Sequence, residues 1–138
     1  MLLYGAEAWV VSHTDAAALG VFERKVLDKI FGPVRVGDDY RIRTNQELYE
    51  LFNDMGVAQR INIQRLRWLG HVARMDEDAP AKRVFDAEVS GRRRRRRPCL
   101  RWKDQVEGAL SSLGVTNWRR RAQSRGAWRE VLRQAVIR

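Results

Sequence analysis

Apolar residues recur at steps of three and four along almost the whole chain, and this spacing restricts it to helical folds. Leu19, Phe22, Val26 and Ile30 form one stripe, with Leu27 and Phe31 beside it. Such steps bring side chains onto one face of an α-helix. Ser12 or Thr14 offers a start signal and Gly32-Pro33 a stop, because glycine accepts a left-handed cap and proline cannot continue a helix. The pattern predicts a first helix over about 14–31. Thr44-Asn45-Gln46-Glu47 reads as a capping box, followed by the stripe Leu48, Leu51, Phe52 and Met55 and closed by Gly56. A third helix is expected over about 58–75, burying Leu66, Leu69 and Ala73 with Ile63 and Val72 on either side. Within it Gly70 reads as a weak point, costing ~1 kcal/mol relative to alanine.

Beyond the acidic loop Asp76 to Pro80, residues Arg83 to Val89 suit a short helix or an extended piece equally well. Trp102, Val106, Leu110 and Leu113 mark a fourth helix, with Pro98 near its first turn and Gly114 at its stop. Thr116 or Asn117 caps a turn containing Trp118, and Trp128, Val131, Leu132, Ala135 and Val136 make a terminal helix. No segment reads as a strand and no internal repeat is present. The expectation is an all-α fold: a bundle of about three helices over 1–90, an arginine-rich linker at 91–98 and a basic helical segment over 99–138.

The charge is concentrated at one end. Residues 1–90 hold 12 basic and 14 acidic residues, whereas residues 91–138 hold 15 basic and 3 acidic, so a net +12 falls in the last third of the 138 residues. Such an asymmetry points to a polyanionic partner. Nucleic acid suits it best, because dense arginine on phosphate releases counterions. An acidic membrane surface fits less well, since the arginines do not lie on an evident amphipathic helix. The densest feature is Arg92, Arg93, Arg94, Arg95, Arg96 and Arg97, followed by Arg101, Trp102 and Lys103. Guanidinium forks match phosphate oxygens, and an aromatic plane beside them suits a base. The same run is also what a nuclear-localisation signal or a solvated linker looks like. A second cluster, Arg119 to Arg121 with Arg125, Arg129 and Arg133, repeats every four residues at its end and reads as a backbone-tracking stripe or a solvated face.

Other chemistries find little support. Cys99 is single, so no internal disulfide is expected, and His13 and His71 lie at no metal-ligand spacing. Asp76-Glu77-Asp78 and Asp38-Asp39 are contiguous acids that point in different directions and read as solvated loops. No phosphate-cradling glycine loop or activated nucleophile is present. No metal, cofactor or small-molecule substrate is therefore expected. No apolar run approaches the ~18 residues of a membrane span. Residues Met1 to Val11 lack the basic flank of a secretory signal.

Three motifs carry a resemblance. Leu2-Leu3-Tyr4-Gly5-Ala6-Glu7-Ala8-Trp9 resembles a Leu-Leu-Tyr-Gly-Ser-Glu-Thr-Trp stretch of non-LTR (LINE-type) retrotransposon reverse transcriptases, with alanines at two polar positions. The run Arg65-Leu66-Arg67-Trp68-Leu69-Gly70-His71-Val72-Ala73-Arg74-Met75 resembles that family's Arg-Leu-Arg-Trp-Leu-Gly-His-Val-x-Arg-Met segment nearly letter for letter. Gly91 to Pro98 with Arg101-Trp102-Lys103-Asp104 is similar to a Gly-Lys-Arg-x-x-Gly-Arg-Pro-x-x-Arg-Trp-x-Asp motif, with Arg96 where the family has glycine and Cys99 where it often has a basic residue. The Trp118 and Trp128 region is similar to the family's C-terminal tryptophan-rich helices.

The resemblance covers nearly the whole chain. It implies a thumb and C-terminal segment lying downstream of the polymerase palm, with residues 1–90 as a thumb-like bundle. The Tyr-x-Asp-Asp motif of the palm and the endonuclease domain have no counterpart here, so the implied segment is non-catalytic. Thumb regions hold the template–primer duplex through its backbone. On that reading Arg92 to Arg97, Arg101 and Lys103 are the first candidates for phosphate contact and Arg65, Arg67 and Arg74 the second. The palm is a further candidate partner, and an intracellular, nuclear location follows from the arginine run. Two rival expectations stand beside this one: a retroelement remnant without selected function, and a helical protein-interaction module.

Overall fold

The structure, a computed structural model, describes residues 3–87 and 101–137. It is predominantly helical, as expected, and falls into two compact units: residues 11–60, and residues 1–10 together with 61–138.

In the unit of residues 11–60, helix α1 (His13–Phe31) starts at a capping box. Ser12 Oγ accepts from the Asp15 amide at 3.1 Å, while the Asp15 carboxylate accepts from the Ser12 amide at 2.9 Å. These bonds satisfy amides that the helix itself leaves unpaired. The helix stops at Gly32, whose φ of 66° disfavours any side chain. Strands β1 (Val34–Val36) and β2 (Asp39–Arg41) then pair antiparallel, with Val34 opposite Arg41. The sequence reading expected no strand. The hairpin escapes it because two three-residue strands are too short to display alternation. Helix α2 (Asn45–Phe52) begins at the expected box, with Thr44 Oγ1 accepting from the Glu47 amide at 3.3 Å and the Glu47 carboxylate from the Thr44 amide at 2.8 Å. It ends at Asn53, in the left-handed conformation with φ 46°, rather than at Gly56.

The apolar stripe read from α1 is not the buried one. Leu27 is buried, whereas Phe22, Val26 and Ile30 are exposed. A carboxylate turns the helix. Glu23, one turn before Leu27, accepts from the Tyr49 hydroxyl at 3.1 Å and from the Val57 amide at 2.9 Å. Val57 opens helix α3 (Val57–Ala73), so Glu23 supplies negative charge to a helix N-terminus. The line Glu23–Leu27 faces inward as a result.

Residues 61–73 of α3 belong to the other unit, which also contains α4 (Pro80–Asp86), α5 (Trp102–Ser112), α6 (Trp118–Gln123) and α7 (Arg125–Ile137). Its core gathers Leu66, Leu69 and Ala73 of α3, Val106 and Leu110 of α5, and Trp128 and Val131 of α7. Of the ambiguous segment after the acidic loop, residues 83–86 are helical, in a helix opened by Pro80 at a position where a proline's missing N–H costs nothing. Residues 61–87 share one core with 101–137, because the stripes of α5 and α7 find their apolar complement on α3.

Gly70 is where this packing closes. Trp128 lies against it, and a Cβ at residue 70 would overlap the indole ring. The indole N–H donates to the Leu66 carbonyl at 3.0 Å, so the buried ring leaves no polar atom unpaired. Gly70 is thus a contact surface rather than a weak point. The C-terminal end of α3 is also tied down. The Ala73 carbonyl accepts from Lys82 Nζ and Gln123 Nε2, both at 3.0 Å, and Arg74 donates to the Ala122 carbonyl at 2.7 Å. Among the described residues no helix is long and apolar enough to cross a membrane.

Two outcomes follow. Gly70→Ala should lower unfolding free energy by about 2 kcal/mol or more, although helix propensity alone favours alanine by ~1 kcal/mol; urea denaturation followed by tryptophan fluorescence reads the sign. The Arg41 guanidinium, 2.5 Å from the Glu47 carboxylate, together with the Thr44 amide holds Glu47 down to about 2. The pair's contribution is therefore present above the ordinary carboxylate range and is lost as pH falls toward 2. Carboxyl-carbon NMR titration of Glu47 should show that low midpoint, and Arg41→Ala should move it upward.

Candidate nucleic-acid interface

In the unit built on α3, α5 and α7, short helix α4 and the start of α5 border an open groove of about 570 Å³. Its walls are largely apolar: Trp68 from α3, Val84 and Phe85 from α4, and Trp102 from α5, with Arg101 and Lys103 on the same rim. Local sequence explains each placement. Leu69 faces the core, which leaves its neighbour Trp68 38% exposed. On α4 one turn carries both Val84, 78% exposed, and the half-buried Phe85. Arg101 is the extended residue before α5, and Trp102 and Lys103 open the helix.

The aromatic wall is braced from below. Phe85 meets Trp102 edge-on at 6.0 Å and Trp118 at 6.1 Å. The Trp102 indole donates to the Glu7 carbonyl at 2.6 Å, which fixes its ring. Two cations lie over the Phe85 ring, Lys103 Nζ at 5.4 Å and the Arg119 guanidinium at 5.8 Å. Arg119 also covers the Trp118 ring at 4.8 Å and pairs with Asp86 at 2.9 Å. Cations held on ring faces keep their charge while the aromatic body beneath packs. The result is an aromatic surface with positive charge along its edge.

The sequence candidates divide into four groups. Arg101 and Lys103 stand together on the groove. Arg92 to Arg97 lie outside the described residues. Arg67 is exposed on α3 but does not line the groove. Arg65 and Arg74 do not line the groove, and both are drawn toward the interior of this unit. Arg65 is only 4% exposed; among the described residues its side chain bonds to Asn62 Oδ1 at 3.2 Å, and its Nε and second terminal nitrogen find no partner there. Burial pushes its pKa down from the ordinary arginine range. The periodicity of α3 accounts for this, since Arg65 falls beside Leu66 and Leu69 on the inward side. Arg74 is half-buried and spends a donor on the Ala122 carbonyl.

Of the second basic cluster, Arg125, Arg129 and Arg133 are exposed along α7, opposite Trp128 and Val131, and Arg133 pairs with Glu130 at 2.6 Å. His71 is exposed and tilts against Trp68 at 5.2 Å. Among the described residues no group of three or more His, Cys, Asp or Glu is placed to hold a metal ion. Sequence reasoning missed Trp68, Val84 and Phe85 as parts of the groove. The only signal for them was an apolar or aromatic residue falling off its helix's core stripe.

No protein-family model, curated protein or solved structure matches the chain.

Because the buried Arg65 charge has no carboxylate partner among the described residues, Arg65→Met should be neutral or stabilising by about 1 kcal/mol. It should also leave affinity for nucleic acid unchanged. Thermal unfolding and a binding titration on the same preparation check both.

Proposed function

We propose that this chain is a non-catalytic nucleic-acid-binding segment derived from a non-LTR retrotransposon reverse transcriptase. It holds RNA or a template–primer duplex through backbone phosphates. The observation that carries the reading is the placement of charge: a net +12 over residues 91–138, with Arg101 and Lys103 of that stretch set beside an aromatic groove. The six arginines Arg92 to Arg97 lie in sequence between Ala87 and Arg101, both of which line the groove. Arginines so grouped neutralise several phosphates at once and read no sequence by themselves. Binding is accordingly strong at low salt and weakly sequence-specific. Polymerase and endonuclease chemistry belong, on this reading, to parts of the parent element with no counterpart in this sequence. A nuclear location follows from the arginine run.

A second reading has a specific observation in its favour. Phe22, Val26 and Ile30 lie at four-residue steps along α1 and are all exposed. An unpartnered apolar stripe of this kind suits a helical protein-interaction module, or a surface that once met the palm.

The experiment is fluorescence-anisotropy binding to a labelled RNA–DNA hybrid over a salt series, with circular dichroism confirming the fold. The wild-type chain should bind with a steep salt dependence. Replacing Arg92 to Arg97 by alanine should flatten it markedly, at ~0.9 in log–log slope for each duplex phosphate released. An unchanged slope would remove that run from the interface, and no binding at low salt would leave the protein-interaction reading standing.

A further inference from the structure

We propose that the aromatic groove between α4 and the start of α5 takes one unpaired nucleotide of the bound strand, the base in the groove and its phosphate on Arg101 and Lys103. This rests on the nucleic-acid reading and adds to it a site that arginine–phosphate contacts alone do not need. Several features favour a base as the occupant. The groove volume of about 570 Å³ lies within the roughly 300–1,000 Å³ of small-ligand pockets. Its walls include three aromatic side chains, Trp68, Phe85 and Trp102, and every base has a π-face that stacks on such rings.

Charge complementarity sets the second requirement. Both charged side chains in the lining, Arg101 and Lys103, are cationic and adjoin Trp102 in sequence. The nearby acid Asp86 is paired with Arg119 and therefore does not repel an anion at full strength. An occupant must then combine a flat apolar body with an anionic group next to it. A nucleotide unit does so, and the charge of residues 91–138 suits a strand whose phosphate repeats. A base locked in a duplex cannot present its face, so the groove selects for single-stranded or frayed positions. Val84, 78% exposed, can be altered without opening the core, which makes it the control for Trp68, 38% exposed.

The test compares binding of a labelled oligo(dT) or oligo(U) strand with that of an abasic strand of equal length and phosphate count, at one salt concentration, by anisotropy. The expected result is about tenfold tighter binding of the base-containing strands, in line with base–aromatic stacking. The ratio should fall toward one in both Trp68→Ala and Val84→Glu, while the abasic strand still binds them. Two variants are used so that loss of packing at Trp68 is separable from loss of the groove. Equal affinity of wild-type protein for base-containing and abasic strands would overturn the groove assignment and leave the phosphate reading intact. Binding of neither strand, with the fold verified by circular dichroism, would overturn both. An anionic lipid vesicle that binds while neither strand does would assign the groove's occupant to a membrane instead.

Discussion

The contact between Trp128 and the bare backbone at Gly70 organises the unit that carries the candidate interface. The indole fills the space a side chain would occupy and ends its N–H on the Leu66 carbonyl, one turn earlier in α3. Large ring burial supplies much of the hydrophobic term in a core of this size, and the hydrogen bond removes the penalty for burying the indole nitrogen. Val106, Leu110 and Val131 share the core that this contact closes, and Lys82, Gln123 and Arg74 then bind the end of α3 to the elements that follow.

The groove depends on that framework at one remove. Once α3 is fixed with Leu69 inward, Trp68 turns outward; once α5 is fixed by Val106 and Leu110, Trp102 and Lys103 stand at its exposed start. Phe85 joins the two sides by meeting Trp102 and Trp118 edge-on. A groove formed in this way takes its shape from the core without being part of it. The cations over Phe85 and Trp118 show the same economy, because an arginine or lysine that packs on a ring face covers apolar surface while its charge stays near water. In the unit of residues 11–60 a single carboxylate plays the organising role. Glu23 links α2 and the start of α3 to α1 and thereby decides which side of α1 is exposed.

Much of this was legible in the residues and some of it was misread. Helices α1, α2, α3, α5 and α7 follow from apolar spacing, and the Thr44–Glu47 box appears where the motif places it, because capping is a local interaction among residues three apart. The hairpin was invisible because its strands are only three residues long. The inward face of α1 was misassigned because the stripe Phe22–Val26–Ile30 and the line Glu23–Leu27 are both helical, and only a distant hydroxyl and amide choose between them. Arg65 and Arg74 looked like Arg67, since charge alone does not tell a solvated guanidinium from one turned inward or spent on a carbonyl.

By itself, then, the sequence determined an all-α chain, the caps of its early helices and a basic last third, all of which rest on spacing and composition over a few residues. Tertiary structure decided the rest. It made Gly70 a docking surface instead of a flaw, buried Arg65, tied Arg74 to the Ala122 carbonyl, and set Trp68, Phe85 and Trp102 around one groove with Arg101 and Lys103. The physical reason is that these outcomes depend on partners tens of residues away, Trp128 above Gly70 and Ala122 beside Arg74, and no local pattern records which distant group a side chain will meet.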